Sequence, residues 1–262
     1  MCGDLALESG YIIVDNARKD DLGRRGFANG PLYSAARPSY PVAAIDYFVS
    51  KLRIERSMHV LDLGAGTGIF SRQMFPFVAR LTAVDPSASM RKALATSSPE
   101  IEVLDGSDVA IPLEDDSVDA VFVAQAFHWF DPPRALSEIH RVLSSRGGLG
   151  MIWNERDESV EWVAALSRAM QWDEKQPYKV GTDFSEAIAA GPFTNVERIK
   201  FDNPQTISHD GLFQRVLSTS YISVMEDRLR DDLMNDVAKV VEKLPEPVVL
   251  PHVTDVYTAT AQ

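Results

Sequence analysis

The sequence predicts an α/β fold in which a mostly parallel sheet carries helices on both faces. Three observations predict it. Short apolar runs recur along the chain, amphipathic helical stretches alternate with them, and glycines or prolines mark the changeovers. That alternation builds βαβ units, whose strands pair in parallel because each crossover helix covers a face of the sheet.

The elements follow in order. Pro41 opens a first helix over about residues 41–52, a place that suits proline because its missing N–H is not needed there. His59–Leu63 is a buried strand stopped by glycines. A helical stretch over 69–77, a strand at 81–84 and a helix around 89–95 come next. Residues 101–104 and Val118–Ala124 are two further strands. Pro132 and Pro133 open a helix with Ala135, Leu136, Ile139 and Leu143 on one face. Gly147 and Gly148 end that unit, and 149–153 is a fifth strand.

Beyond Trp153 the rhythm changes. Residues 160–170 look helical and 193–201 read as a strand. Two helical patterns, 211–217 and 227–244, then precede a last strand around 253–259. The insert over about 202–244 reads either as a cover for a cleft or as packing that completes the core. Residues 1–30, with a charged run at 18–25, read as a lead-in, leaving 31–262 as the main domain.

Composition narrows the function classes. The 262 residues carry 26 Lys+Arg against 38 Asp+Glu, a net charge of −12 that disfavours phosphate backbones and anionic membranes alike. Cys2 is the single cysteine, so neither an intrachain disulfide nor a cysteine-based zinc cluster is expected. The five histidines never fall at His-x-x-x-His spacing, and no metal is expected. The first basic residue, Arg18, follows Asp4 and Glu8, the reverse of a secretory leader, and the apolar stretch at 120–130 is too short to cross a bilayer. The expectation is a cytoplasmic protein with a small-molecule partner, and with neither nucleic acid nor membrane.

The informative stretch runs Val60-Leu61-Asp62-Leu63-Gly64-Ala65-Gly66-Thr67-Gly68. A buried strand entering a glycine turn and then a helix lets a ligand approach the backbone. The dinucleotide fingerprint G-x-G-x-x-G fails, because Ile69 and Ser71 stand where its third glycine would be. Asp62, at the strand end, suits an ammonium group better than a pyrophosphate. Asp85 ends the next strand, 21 residues after Gly64, and suits a ribose diol. The two acids and the turn describe a pocket for a nucleoside joined to a cationic amino acid, the composition of S-adenosylmethionine.

These residues, with Ala83-Val84-Asp85-Pro86-Ser87, Ile111-Pro112, Ser117-Val118-Asp119-Ala120-Val121 and Gln125-Ala126-Phe127-His128-Trp129-Phe130, resemble the class I S-adenosylmethionine-dependent methyltransferases of the type 11 group, near the trans-aconitate methyltransferases. The resemblance is good over about 27–155 and weak over 199–261. It implies a Rossmann-like fold with a mostly parallel seven-stranded sheet and a helical lid insert.

It also implies roles. Gly64, Ala65 and Gly66 would meet the methionine moiety and Asp85 the ribose, while Pro86 and Met90 would flank the adenine. Relatives often carry Gly-Asp-Ala after the third strand; here Gly106-Ser107-Asp108 puts the acid one position later, with Ser107 in its usual place. Tyr33 and Arg37 belong to a segment, Tyr33-Ser34-Ala35-Ala36-Arg37-Pro38-Ser39-Tyr40-Pro41, that resembles the one packing over the cofactor, with Arg37 a partner for its carboxylate. Gln125 follows the fourth strand, at the carboxyl edge of the sheet, where such folds bind ligands.

His128 is the expected general base if the acceptor must lose a proton. Trp129, Trp153 and Tyr221, with Trp172 and Tyr178, are candidates for an apolar acceptor pocket. The expected activity is methyl transfer to a small organic acceptor, a carboxylate or hydroxyl. Two alternatives stay open: an enzyme of the same fold using the cofactor without methylating, and a non-catalytic cofactor-binding protein.

Overall fold

A computed structural model describes residues 37–172 and 182–262. The lead-in at 1–30, Tyr33 and Tyr178 lie outside the described residues. Among the described residues seven strands form one sheet: β1 (His59–Leu63), β2 (Arg80–Asp85), β3 (Glu102–Asp105), β4 (Val118–Ala124), β5 (Leu143–Arg156), β6 (Phe193–Asp202) and β9 (His252–Ala261). Their order across the sheet is β3-β2-β1-β4-β5-β9-β6. β3 through β5 pair in parallel, and β9 runs antiparallel to both β5 and β6. The seven-stranded, mostly parallel Rossmann-like sheet expected from the sequence is present.

Alternation within the strands sorts the core into two layers. Leu61, Leu63, Val121 and Val123 pack on one face against Ala135, Leu136, Ile139 and Val142 of helix α4 (Pro132–Val142). Val60, Ala120 and Phe122 point to the other, against Ala44, Ile45 and Phe48 of α1 (Val42–Lys51) and Phe70 of α2 (Ile69–Met74). A strand covered on both faces must be apolar nearly throughout, which is why these segments read as continuous runs. Each fully buried Leu or Phe stabilises the fold by about 2 kcal/mol.

The remaining helices before the insert are α3 (Ala88–Ser97), α5 (Glu161–Ala169) and α6 (Ser185–Ala189). The insert itself holds α7 (His209–Leu217), α8 (Ser220–Ser223) and α9 (Asp227–Val241). Ser208 sets the start of α7, its Oγ accepting from the Gly211 N–H at 3.0 Å, two residues earlier than the apolar pattern alone predicts. Leu212, Val216, Leu233, Val237 and Val241 pack with Val163 and Leu166 of α5 into a third apolar cluster.

The fold departs from expectation at three places. β5 begins at Leu143 and runs to Arg156, because β9 continues to pair with it as far as Arg156 opposite His252. A hairpin of β7 (Gln205–Ile207) and β8 (Val248–Leu250) flanks the insert, its strands too short to show periodicity in sequence. α6 and α8, one turn each, escape the helical pattern for the same reason.

Candidate functional site

A cavity of about 550 Å³ opens at the carboxyl edge of the sheet. The strand order dictates what meets there. Asp108 follows β3, Asp85 ends β2, the glycine turn follows β1, Gln125 follows β4, and Asn154 stands near the end of β5. Arg215 of α7 and Arg37 complete the side beyond β4.

The glycine turn is shaped by backbone geometry. Gly64, Gly66 and Gly68 all have positive φ, at +73°, +55° and +77°. At Gly68 a Cβ would stand 2.1 Å from Leu94 Cδ1, so only glycine lets α2 pack on α3. At Gly66 a Cβ would meet nothing within 4 Å, because this residue faces the open cavity. The N–H groups of Gly64 and Ala65 both donate to Val84 O, at 2.8 and 3.1 Å, which ties the turn to β2.

Asp85 is held from two sides. Its Oδ2 accepts from the Gly66 N–H and its Oδ1 from the Ser87 N–H, each at 2.8 Å. Burial pushes this carboxyl above its ordinary value, and the two backbone donors pull against that. Asp108 is shifted upward by burial too; its Oδ2 accepts from the Asp131 N–H at 3.3 Å. Pro86, Ser87, Met90 and Ser107 line the same end.

The other end is built differently. Asn154 knits three segments together: its Oδ1 accepts from Thr254 Oγ1 at 2.5 Å and Asn203 Nδ2 at 3.0 Å, and its Nδ2 donates to Ser39 O at 3.2 Å. Gln73 exchanges hydrogen bonds with the Tyr40 backbone, at 2.9 and 2.8 Å, so the 37–41 segment is fixed across the cavity mouth. Gln125 occupies the left-handed region at φ +56°, with its N–H on Ile152 O and its Nε2 on Asn154 O, both at 2.9 Å. A bulky residue held at positive φ is strained, and here the strain sits beside the cavity.

Arg37 donates from Nη2 to Ser218 O at 3.3 Å, and Arg215 from Nη2 to His252 Nε2 at 2.9 Å. His252 Nδ1 lies 3.2 Å from Leu250 O, so its proton sits on Nδ1 and the ring is neutral. Burial first, then Arg215, Arg156 and Arg37, push the His252 pKa down to about 3.

Of the residues singled out in the sequence, Arg37, Gly64, Ala65, Gly66, Asp85, Pro86, Met90, Ser107, Asp108, Gln125 and Trp129 all line this cavity. Four others do not. Asp62 alternates with Leu61 and Leu63 and so faces α2, where it accepts from Ser71 Oγ at 2.5 Å. It is wholly buried, its Oδ1 has no hydrogen-bond partner among the described residues, and burial raises its pKa to about 7. It anchors the start of α2 to β1 rather than fronting the cavity.

His128 sits in the 3-10 turn Phe127–Trp129, and its Nδ1 accepts from Trp153 Nε1 at 3.3 Å. With that bond formed, the Nδ1 lone pair is engaged by the Trp153 indole N–H, and Nε2 is the position left to carry the ring's proton. Trp153 is 1% exposed, stacked on Phe184 with centroids 4.6 Å apart, and belongs to the core. Tyr221 donates to Met170 O at 2.6 Å inside the apolar cluster of the insert. Trp172 packs instead beneath the guanidinium of Arg156, 4.0 Å from its ring centre.

Sequence reasoning passed over Arg215, Asn154 and Gln73. For Arg215 a signal was present: it falls three residues after Leu212 and one before Val216, a cation in the buried stripe of an amphipathic helix.

Comparison with known proteins places most of the chain. A family model described as a methyltransferase domain matches residues 61–151. An uncharacterized methyltransferase of Mycobacterium tuberculosis is 36% identical over 233 residues, covering 87% of this chain and 92% of the relative. A methyltransferase-like protein of Schizosaccharomyces pombe is 32% identical over 215 residues, covering 81% and 84%. The crystal structure of the YcgJ protein from Bacillus subtilis superposes with a TM-score of 0.58 at 18% identity, covering 84% of this chain and 98% of that one. The chain belongs to the class I S-adenosylmethionine-dependent methyltransferases of the type 11 group.

Proposed function

We propose that the protein moves a methyl group from S-adenosylmethionine to a small organic acceptor, with the donor lying along the β1–β3 half of the cavity and the acceptor under the 202–244 insert. The observation that carries this reading is the pairing of Gly66 with Asp85. Gly66 leaves the space a side chain would fill, and its N–H holds the Asp85 carboxylate in place. The residues fit the donor. The Asp85 oxygens keep lone pairs free for a ribose diol, Met90 and Pro86 supply an apolar slot for a purine, and Ser107 and Asp108 supply polar groups at its rim. Arg37 offers a guanidinium for the donor's carboxylate.

When bound, S-adenosylmethionine supplies an activated methyl group on a sulfonium. The protein's own part is to align donor and acceptor and to exclude water, so proximity and orientation provide most of the rate. Gln125, Trp129 and Asn154 shape the acceptor half, and the pinned 37–41 segment covers its mouth. Among the described residues lining the cavity, Asp85 and Asp108 are carboxylates able to take a proton from an acceptor.

The test is titration of S-adenosylmethionine into wild type and Asp85→Ala, with labelled methyl transfer to a metabolite panel. Wild type binds, and Asp85→Ala weakens binding at least about tenfold with its circular dichroism unchanged. Binding without transfer to any acceptor would favour the non-methylating alternative. Absence of binding to wild type would overturn both.

A further inference from the structure

Gln125 combines backbone strain, an anchored amide and a free oxygen at the cavity wall. It stands one residue past β4, where its N–H donates to Ile152 O and carries the β4–β5 pairing one step beyond Ala124. Its φ of +56° lies in the left-handed region that glycine and asparagine favour, so keeping a glutamine there costs backbone energy. Strain of this kind persists only where the surroundings fix it. Here they do: Nε2 donates to Asn154 O at 2.9 Å, and the Asn154 side chain is itself tied to Thr254, Asn203 and Ser39.

The anchor settles which way the amide lies. Only its nitrogen can face a carbonyl, so Oε1 is the other end. Gln125 is half-buried and lines the cavity, and among the described residues Oε1 accepts no hydrogen bond. It is not one of the sealed polar atoms either, so the oxygen stays open to a ligand. The sheet order gives its side of the cavity: β1 separates the strand of Gln125 from that of Asp85.

We infer that Gln125 determines specificity for the methyl acceptor, its Oε1 taking a hydrogen bond from the group to be methylated, and that this group is an uncharged hydroxyl. This rests on the methyltransferase reading of the same cavity. A hydroxyl gives its hydrogen to Oε1 and still keeps lone pairs for the methyl carbon. A carboxylate brings only lone pairs to a carbonyl oxygen that already has its own, and is turned away. An aliphatic amine is protonated at neutral pH and has no lone pair to offer. In the transfer the hydroxyl oxygen gives a lone pair to the methyl carbon, and the carbon–sulfur bond breaks with its pair kept by sulfur. The hydroxyl proton passes to a carboxylate of the cavity and from there to solvent, because an amide oxygen is too weak a base to keep it.

The test uses phenol, benzyl alcohol and cyclohexanol, each against the isostere with fluorine in place of the hydroxyl, and benzoate as the anionic counterpart. Each is titrated by calorimetry into the protein saturated with S-adenosylhomocysteine. At least one hydroxyl compound binds wild type at least about tenfold more tightly than its fluoro isostere, and more tightly than benzoate. Gln125→Gly removes the amide while suiting the positive φ, and it abolishes that preference. Gln125→Asn, also at home at positive φ but one methylene short, abolishes it too. Affinity for S-adenosylhomocysteine stays within about twofold in both variants. If circular dichroism shows one variant misfolded, the other carries the test.

Fluoro isosteres or benzoate that bind as well as the hydroxyl compounds, hydroxyl compounds that do not bind, or a preference that survives Gln125→Gly would each overturn the inference. So would a tenfold loss of S-adenosylhomocysteine affinity in a folded variant, which would assign Oε1 to the donor. Failure of wild type to bind S-adenosylhomocysteine would instead remove the methyltransferase reading beneath it, so the two failures are told apart.

Discussion

The acidic and basic ends of the cavity solve the same problem, a buried charge, by opposite routes. At the β1–β3 end, carboxylates rest on backbone N–H groups from adjacent turns: Asp85 on Gly66 and Ser87, and Asp108 on Asp131. At the far end, Arg215 rests on a histidine from β9, 37 residues away, and Arg37 on a carbonyl of the insert, 181 residues away. The first end is built from contacts 2 to 23 residues apart and the second from contacts 37 and 181 residues apart.

Several experiments would break or sharpen that contrast. The largest effect is expected at the local end. Gly68→Ala forces a Cβ into Leu94 at positive φ, and should destabilise the protein by about 3 kcal/mol in urea unfolding. A loss below about 1 kcal/mol would show that the turn tolerates rearrangement.

Next come two pH effects of opposite sign. Asp62 releases its proton near 3.8 when unfolded but only near 7 when folded, so stability falls as pH rises across that window. Asp62→Asn, which does not titrate, should flatten this fall, a difference on the order of a few kcal/mol. His252 behaves in reverse: its unfolded ring takes a proton near 6.5 and the folded one only near 3, so stability falls as pH drops through that range. His252→Gln should flatten the acid limb. Unfolding curves measured from about pH 4 to pH 8 check both, and a like sign for the two variants would contradict the account.

The smallest effect belongs to His128→Ala. With its Nδ1 committed to Trp153, loss of the ring should change the methylation rate less than about threefold. A drop of a hundredfold would restore it to the chemistry.

How much of this could be read from the chain follows the same division. All seven strands of the sheet were legible, since each is an apolar run bounded by breakers, and so was the turn, since Gly64, Gly66 and Gly68 lie within one loop. Strand alternation puts Asp62 off the cavity lining: Leu61 and Leu63 share one face, which sends the intervening carboxylate to the other. The His128 ring turns to Trp153, because nearness along the chain to the sheet edge does not set where a ring points within a 3-10 turn. Trp153 and Tyr221 were drawn toward the acceptor by their type, whereas stacking on Phe184 and a hydrogen bond to Met170 O hold them in the core. Arg215 had a local signal, a cation in the buried stripe of its helix, but its partner lies on the last strand and no local pattern links the two.

The central claim is that one cavity holds the donor along its β1–β3 half, on Asp85, and the acceptor under the 202–244 insert. Titrating S-adenosylhomocysteine into wild type, Asp85→Ala and Arg215→Gln tests it most directly. The account predicts tight binding to wild type, a loss of at least about tenfold in Asp85→Ala, and affinity within about twofold of wild type in Arg215→Gln. Equal losses in both variants, or none in Asp85→Ala, would contradict it.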